Sequence, residues 1–204
     1  MIIGFFGKGG SGKTTTCFQF LQNVRDEYVE TFAIDADHNM DLSYNLGVEH
    51  PEAYVGQPKT LSSGIRFMAA GPHTEEVFRG DVCSHYLFRP LKDQLRDRPR
   101  NHNELVVVDN TAGMDSVGAG IPALLDVAVV CVEPAIHSLK VGRQVADGLK
   151  RTQTQTVIVA NKIQTPEQEQ EIRRAFPEYT IVTVPLGHPG KAFHGLHTAV
   201  RNLI

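Results

Sequence analysis

The sequence predicts an α/β protein in three layers, a mostly parallel central sheet flanked by helices. Three observations lead there. Apolar runs at 2–6, 65–70, 104–108, 127–132 and 156–160 are close to continuous, the pattern of strands buried on both faces, and shorter runs at 29–34 and 180–184 complete the set. Segments with apolar residues at helical spacing stand between them, at 14–26, 83–96, 138–150, 166–176 and 190–203. Several of the runs lead into a polar or charged residue, Asp37, Asp109, Glu133 or Asn161. In an open α/β sheet, ligands bind outside the carboxyl ends of the strands, so these side chains should converge on one edge.

Each element has a local reason. In 14–26, Cys17, Phe18, Leu21 and Val24 recur on one side, which makes Cys17 a small core residue. In 83–96 the stripe is Tyr86, Leu87, Leu91 and Leu95. Pro166 suits the first turn of a helix, and Phe193, Leu196, Val200 and Leu203 share a face of the last one. Residues 38–64, with Pro51, Gly56, Pro58 and Gly64, read as a long irregular excursion within a single domain spanning 1–204.

Composition narrows the function. The formal net charge of −3 provides no bulk attraction for nucleic acid. No apolar run approaches the roughly 20 residues of a membrane span, and the apolar start lacks a basic leader, so no membrane partner and a cytoplasmic location are expected. Three scattered cysteines do not form a disulfide framework.

The motif that organises the chain is Gly7-Lys8-Gly9-Gly10-Ser11-Gly12-Lys13-Thr14-Thr15, a G-x-x-x-x-G-K-[ST] phosphate-binding loop between a strand and a helix. Its glycines let backbone N–H groups approach an anion, and the helix adds its positive end. Lys13 is placed for the β- and γ-phosphates and Thr14 for Mg²⁺. Asp109, at the end of an apolar strand, supplies the acid such a metal needs, and Gly113 lies where a second switch loop would sense the γ-phosphate. The stretch 35–41, the first switch candidate, carries Asp35, Asp37 and Asp41, more carboxylates at a strand end than a turn requires. Asn161, followed by Lys162, offers an amide donor and acceptor that suit an adenine edge. The following Ile163-Gln164 lacks the aspartate of a guanine site, which favours ATP. Pro185 and Leu186, with Gly187, are expected on the other side of the base.

The loop string, with the extra Lys8, resembles the deviant Walker A motif of the MinD/ParA/nitrogenase-iron-protein superfamily, P-loop NTPases of the SIMIBI type. The resemblance implies a slow Mg²⁺-dependent ATPase that forms a homodimer around ATP. Lys8 would act across the dimer on the partner's nucleotide, as an arginine finger does elsewhere. Asp37 would orient or activate the attacking water, and Asp41 would join Thr14, Asp37 and Asp109 around Mg²⁺. His38 stands where relatives often carry proline.

Two further strings, 107–120 and 132–139, are similar to the switch II region and the VEPSxxSL segment of CooC-type accessory proteins of carbon monoxide dehydrogenase. That likeness implies a metallochaperone or maturation factor with a client metalloenzyme. Departures are Thr111 in place of glutamate, Ala119 in place of arginine, and one cysteine where the family has Cys-x-Cys. Asp81, Cys83 and His85, from two subunits, are the residues that could still hold Ni²⁺ or Zn²⁺ there. A MinD/ParA-type positioning ATPase, acting at a membrane or on DNA, is the alternative. An iron–sulfur donor fits less well, because Ser116 occupies the second cysteine position and Cys131 lies within an apolar strand.

Overall fold

The computed structural model describes residues 1–98, 103–187 and 190–204. In chain order the elements are β1 (Ile2–Gly7), α1 (Lys13–Val24), β2 (Glu30–Ala36), α2 (Asp41–Asn45), β3 (Lys59–Thr60), β4 (Arg66–Ala69), α3 (Glu75–Arg79), α4 (Arg89–Arg96), β5 (Glu104–Asn110), α5 (Asp115–Gly118), β6 (Val127–Val132), α6 (Ile136–Arg151), β7 (Gln155–Ile163), α7 (Pro166–Ala175), β8 (Thr180–Pro185) and α8 (Gly190–Arg201). They build an eight-stranded sheet ordered β3-β4-β2-β5-β1-β6-β7-β8. Every pairing is parallel except that of β3 on the edge of β4.

Because β1 is central, its side chains alternate between two cores. Phe6 joins Leu91, Leu95, Val145, Leu149 and Ile172, from α4, α6 and α7, on one face. Phe5 joins Phe20, Leu21, Phe193, Leu196 and Val200, from α1 and α8, on the other. Every residue of β1, β5 and β6 is buried, as continuous apolar strands require. The apolar face of α8 therefore closes the core.

Register sets the site. Asp35 of β2 and Phe5 of β1 both pair with Asp109 of β5, and Gly7 pairs with Cys131 of β6. The ends of the central strands thus lie side by side, and the loop leaves β1 among them.

The differences from the sequence expectation have local causes. The 83–96 helix divides into a 3₁₀ segment, Ser84–Phe88, and α4. Pro90 has no N–H and must sit in a first turn, so the helix restarts there. The irregular 38–64 stretch holds α2, a 3₁₀ turn at Pro51–Tyr54 and β3. These pieces, like α3 and α5, are too short for periodicity to show. Asn161 and Lys162 lie inside β7 rather than beyond it, at a register shift between Asn161 and Ile163 where Lys162 takes φ 59°. The start of α7 carries a capping box between Thr165 and Gln168, with Pro166 in the first turn as expected.

Candidate nucleotide site

The loop is held by its own backbone. Ser11 N donates to Lys8 O (3.0 Å) and Thr16 N to Gly12 O (2.8 Å). Two glycines have no substitute here. A Cβ on Gly7 would stand 2.6 Å from the Cys131 carbonyl oxygen. One on Gly12, where φ is 86°, would stand 2.3 Å from Asn161 Nδ2.

Inside the loop, Lys13 is buried and its ammonium donates to Asp109 Oδ1 (2.6 Å) and to Thr14 Oγ1 (3.1 Å), with Asp37 Oδ2 at 3.8 Å. Burial alone would lower its pKa, but the charge and hydrogen bond of Asp109, then Asp37, outweigh it and raise Lys13 above its ordinary value. Burial pushes Asp109 up, opposed by Lys13 and Thr14. Asp109 Oδ2 is buried and has no hydrogen-bond partner among the described residues. With the Thr14 hydroxyl beside Lys13 and Asp37 nearby, this oxygen-rich donor set fits Mg²⁺.

A cavity of about 430 Å³ opens over the loop, bordered by Lys8, Lys13, Thr14, Asp37, Asp41 and Lys162. A second, of about 200 Å³ and more apolar, adjoins it between Asn161, Pro185, Leu186 and Phe193. Gly12, Thr15 and Lys162 line both. One polar chamber beside one apolar slot has the shape of a nucleotide: phosphates over the loop, base beyond.

Most residues singled out in the sequence meet at this edge, with changes of detail. Asn161 lines the slot, yet its Nδ2 donates to Ser11 O (2.8 Å), so one of its N–H groups braces the loop. Lys162 Nζ reaches back to Gly10 O (2.6 Å) and Glu133 Oε2 (2.9 Å). Gly113 N donates to Gly7 O (2.9 Å), and Ala112 rather than Gly113 borders the phosphate chamber. Lys8 lies at the rim with Nζ on Gly9 O (2.9 Å). Glu133, expected at this edge as a strand-end residue, meets Lys162 there, and Asn39 and Phe193 join the site without having been picked for it.

The first switch candidate, 35–41, is built differently. Asp35 is fully buried and its two carboxylate oxygens accept from Asp37 N (3.2 Å) and Ser43 N (3.0 Å). Burial and then Asp109 raise its pKa to about 7, against those two N–H bonds. Asp37 Oδ1 accepts from Asn39 N (3.0 Å), and Met40 turns the chain at φ 55°. Burial lowers the pKa of His38, opposed by its bond to Gly71 and reinforced by His73.

The expected nickel or zinc residues are not assembled within one chain. Cys83 is exposed at the start of the 3₁₀ segment and Asp81 is exposed, whereas the His85 ring packs toward Phe88 (6.2 Å). Among the described residues no three His, Cys, Asp or Glu side chains are grouped as a metal site. Cys17 and Cys131 are buried, and burial pushes the Cys131 thiol up to about 12, so neither is a free thiolate.

Residues 2–186 match the CobQ/CobB/MinD/ParA nucleotide binding domain family, CbiA. The chain belongs to this family. Relatives span most of its length. The carbon monoxide dehydrogenase accessory protein CooC of Rhodospirillum rubrum is 27% identical over 203 residues, covering 81% of this chain and 76% of CooC. An uncharacterized ATP-binding protein of Methanocaldococcus jannaschii is 20% identical over 219 residues, covering 91% of this chain and 88% of its own. The crystal structure of the Pyrococcus furiosus cell division ATPase MinD superposes with a TM-score of 0.73 at 20% identity, over 100% of this chain and 99% of that one. At that identity the likeness establishes the fold. Among the described residues, no helix is long and apolar enough to cross a membrane.

Proposed function

We propose that this chain of the CbiA family, a single P-loop domain, binds ATP with Mg²⁺, closes into a homodimer around it, and hydrolyses it slowly to drive a maturation step on a client metalloenzyme. The observation that carries the reading is the pair of adjoining cavities, the polar one bordered by Lys8, Lys13, Thr14, Asp37 and Asp41, the apolar one by Asn161, Pro185 and Leu186.

The chemistry follows from charge. The loop N–H groups and Lys13 hold the β- and γ-phosphates, and Lys162 closes the loop's outer side. Thr14 and Asp109, with Asp37 and Asp41, would hold Mg²⁺, which supplies charge neutralisation between the phosphates when bound. Asp37, at the chamber wall, orients water for attack on the γ-phosphate. Lys8 stands at the rim, free to reach the nucleotide of a second copy. The maturation role draws on the similarity to CooC along most of the chain. A MinD/ParA-type positioning role would use a membrane or DNA. The buried apolar face of α8 leaves that helix little to offer a bilayer.

The test is ATP turnover and mass in solution. Wild type should hydrolyse ATP only with Mg²⁺ and should double in mass with ATP, measured by light scattering. Lys13→Ala should lose at least 100-fold in ATP affinity, on the order expected when a buried charge partner is removed. A variant that binds ATP normally would sink the site assignment. ATP-dependent co-sedimentation with anionic vesicles or DNA would favour the positioning role instead.

A further inference from the structure

We infer that His38 is the positioning residue of the first switch, and that through it the segment 71–88 controls where Asp37 stands. Three contacts made by one ring support this. His38 Nδ1 donates to the Gly71 carbonyl (2.9 Å), which fixes the tautomer as well as the position. Its ring stacks on Phe88, with centroids 5.0 Å apart and planes inclined by 21°. On another side it lies 4.2 Å from the His73 ring. Gly71, His73 and Phe88 all belong to the stretch between β4 and α4, so a single side chain ties the switch to both ends of that stretch.

The link bears on Asp37 because the two residues share a peptide unit, whose Cα atoms are about 3.8 Å apart. The rest of the turn is held locally: Met40 N donates to Asp37 O (3.0 Å) at a positive φ, Asn39 is exposed, and the Asp37 carboxylate accepts from Asn39 N (3.0 Å) with Lys13 Nζ 3.8 Å away. Asp35 holds the chain at Asp37 N and Ser43 N, and between those points the His38 ring is the side chain that ties the turn to the 71–88 stretch.

The same stretch reaches the second switch. A Cβ on Gly118, the last residue of α5, would stand 3.8 Å from His85 Cε1. Lys92 Nζ, one turn beyond Phe88, donates to Ala119 O (3.2 Å). Residues 71–92 therefore touch both elements that surround the phosphates while the exposed Cys83, Phe78 and Tyr86 face outward.

The experiment uses the full chain and two readouts. In amide hydrogen exchange without nucleotide, His38→Ala should speed exchange at Asn39 and Met40 at least tenfold and leave Ser11 and Thr16 of the loop unchanged. His38→Asn, whose amide can still donate to Gly71 O, should recover part of the protection. Phe88→Leu should lose part of it with His38 intact, which keeps the test alive should the alanine variant misfold. In steady-state ATP hydrolysis, His38→Ala should lower kcat ten- to hundredfold, the order expected when a reacting group is misplaced by about 1 Å, with KM for MgATP within twofold. The kinetic arm rests on the role given to Asp37 above, but the exchange arm does not. If wild type turns out not to hydrolyse ATP, the proposed function falls and exchange still decides this inference. Unchanged exchange at Asn39 and Met40 in His38→Ala overturns it, as does a loss expressed in KM alone.

Discussion

The phosphate loop and the first switch border the same chamber and are held in opposite ways. The loop is a backbone object: positive-φ glycines, short N–H to carbonyl bonds, and a close approach between Gly7 and Cys131 that leaves no room for a side chain. The switch is a side-chain object: the Asp35 carboxylate gathers two N–H groups, and the His38 ring leans on Gly71, His73 and Phe88. Backbone constraint fixes most of the loop's shape from within, with Asn161 and Lys162 as added braces. Side-chain constraint leaves a region's position answerable to another segment, which is what a switch needs.

That contrast can be broken most forcefully in the loop. Gly12→Ala places a methyl against Asn161 Nδ2 at a φ that alanine rarely adopts. ATP affinity should fall at least 100-fold, from a strain of about 1–3 kcal/mol plus the displaced Asn161. Titration with a fluorescent ATP analogue measures this, and near-normal affinity would mean that the loop is more pliable than its geometry implies.

A smaller effect is expected in the switch. Asp35→Ala strands the buried N–H of Ser43 and the partly buried one of Asp37. The fold should lose about 2–4 kcal/mol in a urea titration, at about 1–3 kcal/mol for the buried Ser43 N–H and about 1 kcal/mol for the partly solvated Asp37 N–H. Turnover should drop tenfold or more, whereas ATP affinity changes little. Equal losses in affinity and turnover would show that loop and switch are not separable.

The mildest probe concerns Lys162, a side-chain brace on the backbone-built loop. Lys162→Ala removes its bonds to Gly10 O and Glu133. Both partners are at least partly solvated, so a three- to tenfold loss of ATP affinity is expected, about 1 kcal/mol. Glu133→Gln should give less than half of that change in free energy. A larger effect from Glu133 than from Lys162 would place the brace in the carboxylate rather than the ammonium.

Legibility followed the same division. The loop could be read residue by residue, because a phosphate cradle needs glycine, lysine and threonine at set spacing wherever it occurs. Strand ends at Asp37, Asp109 and Asn161 marked the edge, since a parallel sheet presents its carboxyl ends to ligands. Three details were hidden in the sequence. Asn161 donates to the loop, Gly113 N is taken up by Gly7 O, and Lys162 sits at a bulge with positive φ. Each depends on atoms far apart in the chain. The Asp81, Cys83 and His85 set came from the likeness to a Cys-x-Cys motif shared between two subunits; among the described residues of one chain no three such side chains are grouped as a metal site.

What the sequence determined by itself was the layer architecture and the chemistry of the loop, because apolar periodicity and glycine geometry act over a few residues. The tertiary structure decided which side chains brace that loop and what governs Asp37. Phe88 and Gly71 reach His38 only once β2 and β4 pair in register and α4 packs beneath the sheet. No local pattern encodes that contact, since it forms between segments whose proximity is a property of the whole fold.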